Sequence, residues 1–521
     1  MGQHSKASDA GTIWRRPMRS IRHLSHSGFR PALLAILLLC IGAYGYLGIY
    51  VPLRAGGYDF TGPYEAAYAL AHHAPLPVYD VARQRLFNDA VLHLPQGPSD
   101  FRWTPQVAAL LIPLGFLPYG AAHLIWFLVS QAAILTSLLL LARCMVAAAD
   151  RRGRGLPPLS STIEAFATLL CFAVVCQPLT DGLRLGQSTP LLLLGLALLL
   201  YGDLFEHPLL AGCGLALAIL VKLFPAALLP YYLWRGRYRI CAVAVGAIAA
   251  LTVVTLPLTG AGMYGAFAQA INTYGDQPNA GKVNLSLYHA LLVGPSALLR
   301  PGKMEPSGGV PAALALLACV VIYAVFLLLH GKPALLSRRG SIEHGATSTT
   351  APAGYDAARA PHTLLSFGWA MCALLLLEPV DWIFYYLILL IPLGYLLVAL
   401  QAVWSDGGWR GPVGRLALMG LCAYLVATLP LPLDSRIAPY TSLAYVVGIC
   451  LRPTAVLALW LVLARLFSSY GRPVATYSRH ASHLGHAAAL RMRGAGSSGK
   501  RHGEGGGASR DSRDSRTHDG A

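Results

Sequence analysis

Charge is what this sequence has least of. Only 12% of its 521 residues are Asp, Glu, Lys or Arg, against 55% hydrophobic, and the mean hydropathy is +0.54. Soluble domains carry about twice that share of charge. A water-soluble globular enzyme is therefore excluded. Disulfide chemistry is missing too. The ten cysteines (Cys40, Cys144, Cys171, Cys176, Cys213, Cys241, Cys319, Cys372, Cys422, Cys450) fall within or at the edge of apolar runs, and no Cys-x-x-Cys occurs. That excludes a disulfide framework and a zinc site. His72 and His73 have no third ligand at a useful spacing, so no metal site and no cofactor are expected. No small-residue cleavage site follows the apolar run 31–51, so it reads as an uncleaved first helix. No internal repeat is visible either, and a transporter built from two symmetric halves would show one.

What is present is a succession of apolar runs long enough to cross a hydrocarbon core. The expected fold is an all-α polytopic membrane protein with about 10–12 transmembrane helices. The formal net charge of +17 does not point to nucleic acid. The basic residues gather in short loops and tails beside the spans, the pattern that orients a chain with its positive loops inside. Three regions follow. Residues 1–30 form a basic cytoplasmic tail that includes Arg15, Arg16, Arg19, Arg22 and Arg30. Residues 31–467 form the membrane domain, with an external loop at 52–120 and a Ser/Thr/Gly/Ala-rich cytoplasmic linker at 331–362. Residues 468–521 are rich in Gly, Ser, Arg and His and bury too little apolar surface to fold. The expected location is the plasma (inner) membrane, with the polar site facing outward.

The long polar passage 51–120 is the chain's most unusual stretch. Within it, 104–118 is apolar but short, as a juxtamembrane helix would be, and 180–187 reads as a second external polar break. The run 207–234 is ambiguous. A single crossing would carry Arg235, Arg237 and Arg239 to the outer side, against the charge rule. A hairpin broken at Lys222 and Pro225 would return them inside, with Lys222 facing an aqueous pocket. One long tilted helix fits about equally well.

Under this topology Asp59, Arg102, Asp181, Arg184, Gln187, Lys222, Asn284, Ser286, Glu378 and Asp381 all fall on one side. Acid, amide and cation on one membrane face suit group transfer from an anionic lipid carrier. A cation offsets the charge that builds on a departing phosphate, and a carboxylate takes a proton from the attacking hydroxyl. Each residue also has a plainer reading. Asp59, taken alone, reads better as a capping or solvated loop acid. Asn284 reads equally well as a helix cap. Arg184 could mark a span end, Gln187 could cap the next helix, and Asp381 with Trp382 could be a turn and an interfacial anchor. Lys222 is harder to dismiss, because a mid-membrane cation is functional by default.

Several motifs occur in a telling order: Tyr58-Asp59-Phe60, Pro77-Val78-Tyr79-Asp80 and Phe101-Arg102-Trp103-Thr104-Pro105, followed by Leu185-Gly186-Gln187-Ser188, Val221-Lys222-Leu223-Phe224-Pro225 and Asn284-Leu285-Ser286-Leu287. Over residues 30–400 they resemble the family 87 glycosyltransferases, polytopic enzymes of the GT-C fold. The resemblance implies an inverting hexosyltransferase that moves a sugar, typically mannose, from a polyprenyl-phosphate donor to a lipid-linked or glycan acceptor outside the membrane. It casts Asp59 as the base, with Lys222 and Arg184 on the donor phosphate and Arg102, Gln187, Asn284 and Asp381 as further substrate contacts. Membrane lipids are implied partners, and nucleic acid is not. There are departures: Thr104 stands for a proline, Ser188 for an asparagine and Leu285 for a glutamine, and no histidine follows Trp382. The alternatives are a flippase or transporter of lipid-linked saccharide, and an inactive scaffold that keeps the fold.

Overall fold

Backbone amides inside a bilayer must bond within their own segment, so apolar runs of this length can only be helices. The computed structural model describes residues 35, 38–74, 76–95, 97, 99–149, 159–275, 284–299, 310–330, 359–405, 411–430 and 443–470, and among these no strand occurs. The tails 1–30 and 471–521 and the linker residues 331–358 lie outside the described residues.

Helix α1 (Leu38–Ala55) is the first crossing, loosened to π-helix over Tyr44–Tyr50. The expected span stopped at residue 51, yet the helix runs through Pro52. The stop is set by Gly56 and Gly57, with φ of 75° and 66°. Two successive left-handed residues end a helix, and only glycine takes that conformation without strain.

Helices α2 (Thr61–Ala71), α3 (Val81–Phe87) and α4 (Pro105–Gly115) follow. They fold the polar passage into a small cap with its own core of Phe60, Tyr64, Phe101, Trp103 and Trp126. Asp80 is the N-cap of α3, accepting from the amides of Ala82 and Arg83. The short apolar run before Pro118 is α4, as its proline boundaries suggest. Its Gly115 lies so close to α2 that a Cβ there would sit 2.4 Å from the Ala67 carbonyl oxygen.

The chain then crosses as α5 (Tyr119–Ala149) and enters α6 (Leu159–Val175) and α7 (Gln177–Leu185), the last two bent by 70° at their junction. Residues 180–187 read as a polar break between spans, and most of them are helical and belong to α7. Pro178 starts that helix and Gly186, at φ 73°, ends it. Its polar residues fall on one face and its apolar ones on the other, which the count of polar residues alone conceals.

Helices α8 (Thr189–Leu204), α9 (Pro208–Val221) and α10 (Leu228–Trp234) resolve the ambiguous run. The helix breaks at Lys222, whose backbone is extended (φ −146°, ψ 136°). A 3-10 turn, Phe224–Ala227, leads into α10. The Arg235 guanidinium lies 3.1 Å from the Asp203 carboxylate, and that of Arg237 lies 2.9 Å from Glu206. Arg235 and Arg237 are thus beside the α8–α9 turn, which only the broken hairpin allows.

The remaining described helices are α11 (Tyr238–Thr259), α12 (Ala261–Gly275), α13 (Leu287–Leu299), α14 (Val310–His330), α15 (Ala360–Leu377), α16 (Leu390–Ser405), α17 (Pro412–Thr428) and α18 (Leu443–Tyr470). Among the described residues seven helices are long and apolar enough to cross a membrane, and the bent pair α6–α7 makes an eighth if taken as one broken span. The expected 10–12 is reached only by counting the shorter apolar helices as well. The spans at Ala360–Leu377 and Ile383–Trp404 are each 83% buried, whereas Leu38–Ala55 is 11% and Val310–His330 17% buried. The first two are central and the last two peripheral. That contrast cannot be read from hydropathy, since a central and a lipid-facing helix are both apolar all round.

Candidate functional site

The Asp59 turn is built from glycine and aromatic packing. Gly56 and Gly57 reverse the chain after α1, and the Tyr119 hydroxyl donates to both of their carbonyls at 2.6 and 2.9 Å. Residues Tyr58–Phe60 form one 3-10 turn. Phe60 stacks on Trp126 at 5.3 Å, and the Trp126 indole donates to the Gly186 carbonyl at 2.9 Å. These contacts press the turn against the end of α7, where the Gln187 amide donates to the Asp59 carboxylate at 2.5 Å. Ser99 holds the other side, its hydroxyl donating to the Asp59 carbonyl at 3.2 Å and accepting from the Gly62 amide at 3.0 Å. Burial raises the pKa of Asp59 above the ordinary carboxylate value. The Gln187 hydrogen bond pulls it back, followed by the positive charges of Lys222 and Arg102. Asp59 is thus a partly buried acid within the electrostatic reach of two cations.

Both cations line one cavity of about 540 Å³. Lys222 enters it from the hairpin break, with its ammonium 5.0 Å from the ring centre of Tyr385 and 6.0 Å from that of Phe384. Arg102 enters from the non-helical stretch before α4, paired with Asp100 at 2.5 Å. The remaining wall is largely apolar: Leu223, Phe224, Phe267, Ile271, Leu377 and Trp382 among others. A cavity with a largely apolar wall and two cations in its lining has the chemistry to hold a lipid with an anionic head. Asp59 is not on the cavity wall but beside it, coupled to the cations that are.

The other expected residues divide. Gln187 contacts Asp59 directly. Arg184 points along α7 to Asp181 at 3.6 Å with its side chain 46% exposed, and it does not line the cavity. Asn284 spends its side chain on neighbouring backbone. Its carbonyl oxygen accepts from the amides of Ser286 and Asp381, both at 3.0 Å, and its amide donates to the Pro379 carbonyl at 3.1 Å. Ser286 caps α13 by accepting from the His289 amide at 3.0 Å and donates to Pro379 at 2.8 Å. The Asn284–Ser286 motif therefore clamps the turn between α15 and α16. Asp381, 1% exposed, is part of that turn and is not in the cavity lining. Glu378, one of the outer polar groups in the sequence, was not singled out as a substrate contact, yet it stands on the cavity wall with Tyr385. Its sequence signal is weak: an acid after an apolar run reads as a helix end. Among the described residues no group of three or more His, Cys, Asp or Glu side chains could hold a metal ion.

A helical bundle with several apolar spans, and with an acid, an amide and two cations gathered at an apolar-walled cavity, defines a membrane protein with a polar site. The comparisons with known proteins give that class a family. Residues 101–342, a little under half of the chain, match the family model of glycosyltransferase family 87. No curated protein and no solved structure matches it. The match takes in Arg102, Arg184, Gln187, Lys222 and Asn284, but Asp59 and Glu378 lie outside it. The match, on a chain with at least seven apolar helices long enough to span among the described residues, supports a membrane glycosyltransferase.

Proposed function

We propose that the protein transfers a hexose, mannose being the first candidate, from a polyprenyl-phosphate donor to a lipid-linked or glycan acceptor on the outer face of the plasma membrane, with inversion at the anomeric carbon. One observation carries this reading: the Asp59 carboxylate lies within the field of Lys222 and Arg102, which both line a largely apolar cavity. The isoprenoid tail suits the apolar wall, and the donor phosphate suits the two cations. An acceptor hydroxyl attacks the anomeric carbon from the side opposite the phosphate. Its proton passes to Asp59, and the electron pair of the breaking C–O bond goes to a phosphate oxygen whose charge Lys222 and Arg102 offset.

Within this reading Gln187 holds Asp59 in place. Arg184, Asn284 and Asp381 act as supports around the substrate site, with Arg102 better placed than Arg184 for the phosphate. The test is transfer from radiolabelled polyprenyl-phosphate sugars, mannose first, by the purified chain in lipid nanodiscs. Asp59→Asn should lower transfer by about 10²-fold or more while the protein elutes and binds donor as before. Undiminished transfer removes Asp59 from the chemistry. Transfer from nucleotide sugars alone overturns the donor assignment.

A further inference from the structure

The cavity wall carries a carboxylic acid to which the reading above gives no task. Glu378 follows α15 directly, and its backbone amide still bonds to the Leu374 carbonyl at 3.1 Å, so the last turn of the helix fixes its position. The next residues, Pro379–Asp381, are clamped by Asn284 and Ser286. Its carboxylate shares the cavity with Lys222 and Arg102, and no described cation lies within 4.0 Å of it. The Lys222 ammonium likewise forms no described ion pair at that distance. An acid and a base in one apolar cavity that stop short of each other leave room for a ligand between them.

We propose that Glu378 is a second catalytic carboxyl group, one that gives its proton to the phosphate oxygen left with the electron pair of the broken glycosidic bond. This deepens, and rests on, the sugar-transfer reading. The step balances. The acceptor oxygen forms the new C–O bond and loses its proton to Asp59, and the old C–O bond breaks toward phosphate. Glu378 passes its proton to that phosphate, so the lipid phosphate leaves as a monoanion. Asp59 now holds a proton and Glu378 lacks one, and exchange with water resets both. The phosphodiester donor and the monoprotonated product then carry the same charge, which spares the cavity an extra negative charge.

The surroundings separate the two acids in the required sense. Glu378 is pushed up to about 7 by burial, and only Lys222 opposes this. Asp59 is raised by burial, but Gln187, Lys222 and Arg102 oppose it. Two carboxyl groups driven apart by environment take opposite roles, one as acid and one as base. The charged and titratable groups around Glu378 are Lys222 from the hairpin break, Arg102 and Tyr79 from the cap, Tyr385 from the turn before α16, and Asp381 from its own turn. Helix α12 adds only apolar lining through Phe267, Ala270 and Ile271.

The test has two arms, both on the full chain in nanodiscs. In the first, the transfer rate is followed from pH 5.5 to 9. Wild type should lose rate as pH rises through about 7, and Glu378→Gln should be slower by about tenfold or more and lack that alkaline fall. In the second, binding of methyl farnesyl phosphate, a phosphodiester with one fixed negative charge, is measured by calorimetry. Wild type should bind it about fivefold or more weakly at pH 8.5 than at pH 6, as the ionised acid repels the anion. Glu378→Gln, which keeps the shape of the side chain, should bind it equally at both. An alkaline fall that persists in the variant, in either arm, overturns the proposal and assigns the titration to Lys222. If wild type transfers sugar from no polyprenyl phosphate, the sugar-transfer reading fails, while the binding arm still decides whether Glu378 meets an anion.

Discussion

The two ends of the α8–α10 region handle charge in opposite ways. At the Arg235 end the charges of Asp203, Glu206, Arg235 and Arg237 are all paired. Asp203, 3% exposed, meets Arg235 at 3.1 Å and Arg237 at 3.2 Å, while Glu206 meets Arg237 at 2.9 Å and Arg359 at 3.4 Å. At the Lys222 end, Lys222 and Glu378 share a cavity without pairing, and Asp59 is held by an amide and not a cation. Paired charges fix the geometry of a helix turn. Charges kept apart in an apolar cavity have given up water without compensation, and a ligand of complementary charge supplies it. One end of this hairpin is built to hold its shape, and the other to receive something.

The comparison breaks first at Lys222. Lys222→Met removes the ammonium from the cavity and should lower transfer by about 10²-fold, with donor affinity falling alongside and folding unchanged, as read by transfer kinetics and gel filtration. At the opposite end the effect should be on stability. Asp203→Asn takes from the largely buried Arg235 its carboxylate partner and leaves it the Tyr231 hydroxyl, at a cost of about 3 kcal/mol. Thermal unfolding in detergent should show that loss, while the protein still folded transfers at the wild-type rate. Equal loss of transfer in both variants would erase the distinction between the two ends.

A smaller effect sharpens it further. Gly186 has φ of 73°, and a Cβ there would lie 2.9 Å from the Cβ of Phe60 and 3.2 Å from Gly57 Cα. Gly186→Ala should cost about 1–2 kcal/mol of strain and push the Asp59 turn away from Gln187. Transfer should fall through kcat more than KM. The smallest effect lies in the cap. Glu65 is fully buried and neither carboxylate oxygen has a described partner, so burial pushes it up from 4.5 to about 8. The folded form holds the proton while the unfolded form releases it. Stability is therefore fullest below about pH 4.5 and falls as pH rises toward about 8. Glu65→Gln should raise the melting temperature at pH 7.5 and leave it unchanged at pH 4, which thermal scans at the two pH values check.

Much of this was legible in the chain. Runs of apolar residues imply helices because lipid offers no hydrogen bonds, and the positions of Arg235 and Arg237 raised the broken hairpin as one of two equal readings that the structure then decided. Lys222 stood out because a cation among apolar residues demands a reason. Less legible was α7, whose polar residues look like a loop until the helical period is applied. Glu378 was hidden among span ends, and the backbone-directed bonds of Asn284 look, in sequence, the same as a ligand contact. Arg184 and Arg102 are equally basic in sequence. Only Arg102 reaches the cavity, because α7 turns Arg184 toward Asp181.

The sequence by itself determined that this chain lives in a membrane, that it is helical throughout its apolar runs, and which glycosyltransferase family it matches. Those properties follow from local composition, from the demand that backbone polar groups be satisfied in lipid, and from short motifs read in order. Only the tertiary structure decided which polar residues meet. Asp59 and Gln187 are joined across a fold that two left-handed glycines and a stacked Phe60–Trp126 pair hold shut. Lys222, Arg102 and Glu378 come from three separate parts of the chain and share one cavity. Nearness of that kind depends on how helices pack, and helix packing is set by side chains on every element at once.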